Sequence, residues 1–234
     1  MSEAPWASFN LGDHVGDDPL QVGRNRELLT HQLNARPVFL QQVHGWDVCE
    51  VHAESPDGIV ADACWTAQTG VACTIMVADC LPLLITNAQG QWVAAAHAGW
   101  RGLAGLEGQG VVEAIVNRCL REVAQHPSDL RVWLGPCIGP QAFEVGPEVL
   151  EAFCATRPED TRAFALQTTG RYLADLALLA RLRLERLGVH AVYGNDSSSA
   201  WCTHTQESLF FSHRRDAGLL GSTGRMAACI WLDR

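Results

Sequence analysis

Apolar residues along this chain follow two rhythms, and the switches between them mark its elements. Residues 83–86 and 92–96 are short apolar runs joined by the polar stretch 87–91, the pattern of two strands and a turn. Val112, Ile115, Val116, Cys119 and Leu120 recur at spacings of three and four, which predicts a helix over 106–123. A helix over 19–33 starts at Pro19, with Val22, Arg26 and Leu29 on related faces. Another begins at Pro147 and runs to 154. A further one over 173–187 is apolar at Leu173, Leu176, Ala177, Ala180, Leu184 and Leu187. Strands are predicted at 38–43 and 48–52, around a hairpin-type turn at 45–47, and at 62–66, 71–77, 130–134, 189–193 and 227–232. Several strands are sequence neighbours with no helix between them. That argues for a layered α+β fold with mixed sheets rather than a doubly wound parallel sheet. No repeat, low-complexity tract or linker interrupts residues 1–234, which read as a single domain.

Composition narrows the function classes. The 234 residues are 47% hydrophobic and 18% charged, the balance of a globular chain. A net charge of -9 argues against a nucleic-acid or anionic-membrane binder. A small anionic substrate remains compatible, because it needs only a local arginine cluster. The start MSEAPWASFN lacks a basic stretch followed by an apolar one, and no run of roughly 18 apolar residues offers a membrane span. The nine cysteines are odd in number, irregularly spaced and without a C-x-x-C pair. Reduced thiols in a cytoplasmic protein are the natural reading. Cys49, Cys64, Cys73, Cys119, Cys154 and Cys229 sit mostly among apolar neighbours as small core residues.

Cys80 and His97 differ from these. Cys80 stands just before the 83–86 run, and His97 ends the next one, followed at once by GWRG. A soft thiolate and an imidazole at adjacent sheet ends suit zinc, and His44 in QQVHG supplies a third ligand. Three protein ligands leave a position for water or substrate, the catalytic arrangement. Asp79 either orients a ligand or caps the next segment. Arg101 adds a fixed positive charge between glycines that permit close backbone approach. Asn10, Asn25 and Arg26 border a ligand site or serve the local turns. Arg214 and Arg215 bind an anion or pair with Asp216. Trp100 stacks on a ring or packs in the core. Cys137, in the rigid turn GPCIGP, is a nucleophile, an extra ligand or a structural thiol.

The motifs QQVHG, ADCLP, AHAGWRG, GPCIGP, FFSHRRD and GRMAACIWL, in this order from Ser8 to Trp231, resemble the YfiH family. It is also called the laccase-domain or polyphenol-oxidase family, and its members are regarded as purine nucleoside phosphorylases. The resemblance implies an αββα-type layered sandwich with mixed sheets. It also implies a catalytic Zn2+ held by His44, Cys80 and His97. The implied activity is on adenosine, inosine and methylthioadenosine with phosphate, with some adenosine deamination; a bacterial branch is linked to editing of peptidoglycan precursors. The expected catalytic set is His44, Cys80, His97 and Arg101, and the expected substrate-binding set is Asn10, Arg26, Gln42, Arg214 and Arg215. One departure stands out. Members usually carry a strand and an S-T-R-x-G-G-like segment ahead of their S-x-N-L-G motif. Here SFNLG at 8–12 matches, with seven residues before it. The expectation is therefore a domain without that strand and its arginine.

Three other classes stay open. Copper could occupy the His2Cys site of a phenol oxidase. Nine histidines without an H-x-H pair argue against a four-copper centre. Cys80 with His97 could act as a cysteine hydrolase, or the site could be a non-catalytic zinc-stabilised binding module. The pattern carries no signal for oligomeric state.

Overall fold

The computed structural model describes residues 2–123 and 126–233. Helix α1 (Pro19–Leu33) is followed by β1 (Arg36–Gln41), β2 (Val48–Glu50), β3 (Ile59–Val60), β4 (Ala63–Thr66), β5 (Val71–Val77), β6 (Leu81–Asn87) and β7 (Val93–Ala98). Then come α2 (Trp100–Ala104), α3 (Val111–Val123), β8 (Leu130–Leu134), β9 (Glu144–Val145), α4 (Pro147–Cys154), β10 (Phe164–Leu166), β11 (Tyr172–Ala174), α5 (Leu176–Arg186), β12 (Val192–Gly194), α6 (His213–Leu220) and β13 (Met226–Trp231). Among these no helix is long and apolar enough to cross a membrane.

Two mixed sheets carry the fold. One has strand order β12-β8-β6-β7-β4-β2 and the other β13-β5-β1-β3, with a small sheet β10-β11-β9 beside them. Side-chain alternation explains the layers. In β6 and β7, Leu81, Leu83, Ile85, Ala94 and Ala96 pack with Val112, Ile115 and Leu179 of the helical layer. The intervening Val93 and Ala95 face Val38, Leu40, Cys73 and Ile75 of the other sheet. Phe39 and Met76 emerge on the far side of that sheet, against Leu11 and Leu29. The layers are thus α3 and α5, the larger sheet, the smaller sheet, then α1, the expected αββα sandwich.

Some boundaries differ from the sequence expectation. Residues 38–43 and 48–52 do not form a hairpin: β1 pairs in parallel with β5 and β3, whereas β2 pairs in parallel with β4 in the other sheet. The 42–47 turn therefore crosses from sheet to sheet. The helix predicted from 106 starts at Val111, because Glu107 (φ 51°) and Gly108 (φ 75°) adopt left-handed backbone in a tight turn. The helix predicted from 173 starts at Leu176, since Asp175 caps it by accepting from the Leu178 amide at 2.9 Å. Tyr172–Ala174 instead joins the small sheet.

Candidate metal centre and substrate pocket

The β6–β7 hairpin has the register Pro82↔His97 and Leu81↔Ala98. Alternation puts His97 on the side of Val93 and Ala95, and Cys80 on the side of Leu84, both between the sheets at one end of the sandwich. The chain turns sharply before Cys80, at Asp79 (φ 89°). The Asp79 carboxylate accepts from the Thr203 hydroxyl and from the Arg214 amide at 2.7 Å, so it anchors loops from the C-terminal third to this turn. Gly99 follows because nothing larger fits. A Cβ there would lie 2.7 Å from His44 Cδ2 and 3.1 Å from Cys80 Sγ.

His44 arrives on the crossing loop with φ 61°. Asp62 holds it there. The wholly buried Asp62 carboxylate accepts from the amides of Val43 (3.1 Å), His44 (2.9 Å) and Gly45 (2.7 Å). It also lies 2.8 Å from His97 Nδ1. One carboxylate thus positions two of the three expected ligands and leaves His97 Nε2 free to coordinate.

The donor atoms of His44, Cys80 and His97 all lie within 4.8 Å of one another. Cys80 Sγ is 3.7 Å from His44 Nε2, and the two imidazoles meet edge-on at 4.8 Å between centroids. Sulfur and nitrogen on a zinc tetrahedron would be separated by about 3.5 Å, given bonds of roughly 2.3 and 2.0 Å. The set therefore fits a metal ion with little movement. Without a metal its electrostatics favour a thiolate–imidazolium pair, so metal binding would release the His97 proton. Burial would raise the Cys80 thiol, but His97 and His44 override it and bring it down to about 6. Burial would lower His97, yet Cys80 and Asp62 raise it to about 9. Burial likewise works against the Asp62 carboxylate, but its bonds to His97 and the loop amides hold it below the ordinary range. A thiolate is the form a metal takes.

These ligands sit at the floor of a cavity of about 400 Å³ whose walls include His14, Ile138, Phe143, His213, Arg214 and Arg225. Gln42 also lines it, its amide closing on the Met76 backbone with 2.8 Å bonds to both N and O. The other expected site residues fall elsewhere. Arg101 is exposed, with its guanidinium over the Trp100 ring at 4.3 Å, and it is not on the cavity wall. Asn10 is fully buried. Arg26 donates to Leu11 O, pairs with Asp13 at 3.2 Å and lies over Phe39 at 4.0 Å. Arg215 forks on Asp216 and donates to the carbonyls of Thr203, His204 and Phe210. Cys137 is buried, and burial pushes its thiol far up, as suits a structural role. The sequence did not single out Asp62, nor Arg225, His14, Ile138, Phe143 and His213 of the cavity wall. The Arg in GRMAAC had a motif around it as a signal; Asp62 had none.

Three convergent donors beside a cavity on an αββα sandwich form a group that could hold a metal ion. The chain belongs to the YfiH, or laccase-domain, family: the family profile described as multi-copper polyphenol oxidoreductase laccase matches residues 1–233. It is 48% identical over 234 residues to a Pseudomonas aeruginosa protein named purine nucleoside phosphorylase, covering 100% of this chain and 89% of that protein. It is 46% identical over 234 residues to the Escherichia coli purine nucleoside phosphorylase YfiH, covering 99% and 89%. The crystal structure of YlmD from Geobacillus stearothermophilus superposes with a TM-score of 0.89 at 34% identity, covering 100% of this chain and 88% of that one. A Neisseria meningitidis protein does so with 0.86 at 42%, covering 100% and 90%.

Proposed function

We propose that this protein is a zinc-dependent purine nucleoside phosphorylase that cleaves adenosine, inosine or methylthioadenosine with phosphate, giving the free base and a ribose 1-phosphate. The observation that carries the reading is the convergence of His44, Cys80 and His97 at the floor of an open cavity. The names of the Pseudomonas and Escherichia relatives supply the reaction class.

Cleaving a purine N-glycosidic bond builds positive charge on the ribose and negative charge on the departing base. Phosphate must be held against the anomeric carbon, and that positioning is the main task of the protein. Ile138 and Phe143 offer the base an apolar wall, with the Arg214 guanidinium 5.6 Å above the Phe143 ring. Asp62 keeps both histidines aimed at one point, so the site needs little reorganisation during the reaction. Zinc, when bound by His44, Cys80 and His97, would supply a Lewis acid that orients and neutralises an oxyanion. Two imidazoles and one thiolate with a free fourth position match a catalytic zinc set. Among the described residues this is the one group of three or more such donors placed to hold a metal, which argues against a multicopper centre.

The test is incubation of the purified, metal-analysed protein with adenosine, with and without phosphate, and identification of products by mass. Ribose 1-phosphate formed only with phosphate is expected. Inosine would mean deamination instead. Full turnover after verified removal of metal would overturn the zinc reading and favour a Cys80–His97 hydrolase.

A further inference from the structure

We propose that Arg225 is the anion receptor of this cavity and takes one edge of inorganic phosphate, an inference that rests on the phosphorylase reading for its role but not for its test. Five other arginines compete for that part, and their partners decide between them. Arg26 and Arg215 are paired with Asp13 and Asp216. Arg101 lies on Trp100, off the cavity wall. Arg183 is sealed inside the core against Glu113. Arg214 does line the cavity, but it is exposed, and its guanidinium reaches away to the carbonyls of Ala142 and Glu144.

Arg225 is half-buried on the same wall and forms no ion pair among the described residues. One terminal nitrogen donates to the carbonyls of Thr223 (3.2 Å) and Gly224 (3.1 Å). Among the described residues the edge formed by Nε and the other terminal nitrogen has no hydrogen-bond acceptor. That edge is the geometry that grips an oxyanion bidentately. A permanent charge partly withdrawn from water without a carboxylate gains when an anionic ligand meets it. The nearby negative groups do not complete it. Asp79 is engaged by Thr203 and Arg214, and Cys80 faces the histidines. His14 and His213 flank the cavity and can add donors.

A second observation concerns SFNLG at 8–12, far away in sequence. The buried Asn10 Oδ1 accepts from the Arg225 amide at 2.8 Å and from the Gly12 amide at 2.9 Å. Asn10 Nδ2 donates to Gly12 O at 3.0 Å and to Asp17 at 2.9 Å. The Leu11 amide donates to Arg225 O at 2.9 Å. The Arg225 stem lies against Gly12, where an added Cβ would be 2.7 Å from Arg225 Cγ. The motif is therefore a cradle for Arg225. Asn10 and Gly12 are positioning residues that act through it, without touching a ligand.

The experiment is calorimetric titration of the zinc-loaded protein with inorganic phosphate, with no nucleoside present. Arg225→Gln should weaken phosphate binding at least tenfold while zinc content and the unfolding midpoint stay unchanged. Arg225→Lys should recover only part of it, because an ammonium restores charge but not the fork. Gly12→Ala should weaken it by a smaller factor with Arg225 still present. In turnover, KM for phosphate should rise and KM for nucleoside should not. Wild-type phosphate affinity in Arg225→Gln, or its loss in Arg214→Gln instead, would overturn the assignment, as would a wild-type protein that binds no phosphate. Phosphate bound through Arg225 by a protein that cleaves no nucleoside would uphold the assignment and sink the phosphorylase.

Discussion

Two regions of this molecule withdraw ionisable groups from water, and they treat them in opposite ways. Between α3 and α5, Arg183 meets Glu113 at 2.8 Å, and Arg183 also donates to the carbonyls of Ala104 and Gly108. Nearby, Arg186 forks on the buried Asp160 at 2.7 and 3.1 Å. Away from the cavity, thiols are pushed up even where a cation opposes it: burial outweighs Arg118 and takes Cys119 to about 12, and burial reinforced by Cys64 does the same for the half-buried Cys49. At the cavity floor, Cys80 is brought down to about 6 by its two histidines. The interior charges answer one another. The cavity donors point at a common space that belongs to none of them. Burial by itself therefore does not mark a site; donor capacity aimed at an unfilled point does.

The largest effect should come from breaking that convergence. Cys80→Ser removes the soft ligand and leaves a hydroxyl that remains protonated at neutral pH. Metal affinity should fall by more than the roughly 10–100-fold that losing an outer partner costs, and nucleoside cleavage should vanish with it. The unfolding midpoint of the metal-free protein should barely move, because Cys80 is half-buried at the edge of the core. Full zinc occupancy in this variant, measured by atomic emission, would remove Cys80 from the ligand set.

The complementary cut is in the interior. Glu113→Ala strands the Arg183 guanidinium, whose side chain is 0% exposed. Breaking such a pair costs about 3–5 kcal/mol. It also removes the acceptor of the Gly110 amide at the start of α3. Urea unfolding should register this loss while zinc stoichiometry at low denaturant stays whole. Replacing both partners, as Glu113→Leu with Arg183→Met, should restore much of the stability, since neither charge is then left alone. Equal destabilisation by the single and double variants would mean that the carbonyl contacts of Arg183 matter more than its charge partner.

The same contrast explains what was legible in the sequence. The β6–β7 hairpin and α1 announce themselves through local pattern, and α1 spans the predicted 19–33. His44, Cys80 and His97 were legible because their motifs are dense with glycine and chemistry-bearing side chains. The crossing of β1 and β2 into separate sheets was not. Both are ordinary apolar runs around a turn, and nothing local says that parallel pairing with β5 and β4 wins. Arginines were harder still. Arg26, Arg101, Arg214, Arg215 and Arg225 are alike in sequence, and only their partners separate them. Asn10, expected among the substrate-binding residues, is wholly buried and accepts from the Arg225 amide at 2.8 Å.

Asp62 is the sharpest case, because it lies on the border between the two regions. It is buried like the interior carboxylates, yet its bonds run to the ligand loop and to a ligand. Asp62→Asn tests which side it belongs to. One oxygen serves the His44 amide and His97 Nδ1, and the other serves the amides of Val43 and Gly45. An asparagine must put its NH2 on one of these pairs, so a donor meets donors whichever way it turns. If the NH2 faces Val43 and Gly45, the crossing loop loosens and His44 drifts. If it faces His97, the imidazole loses the bond that fixes its orientation. Either way the metal site is degraded without losing a ligand. Zinc affinity, measured by competition with a chromogenic chelator, should fall about 10–100-fold, the cost typical of an outer-shell partner. Excess zinc should then restore nucleoside cleavage, which it cannot do for Cys80→Ser. Unchanged zinc affinity alongside a lowered unfolding midpoint would place Asp62 with the interior carboxylates and leave His44 and His97 to be oriented by packing alone.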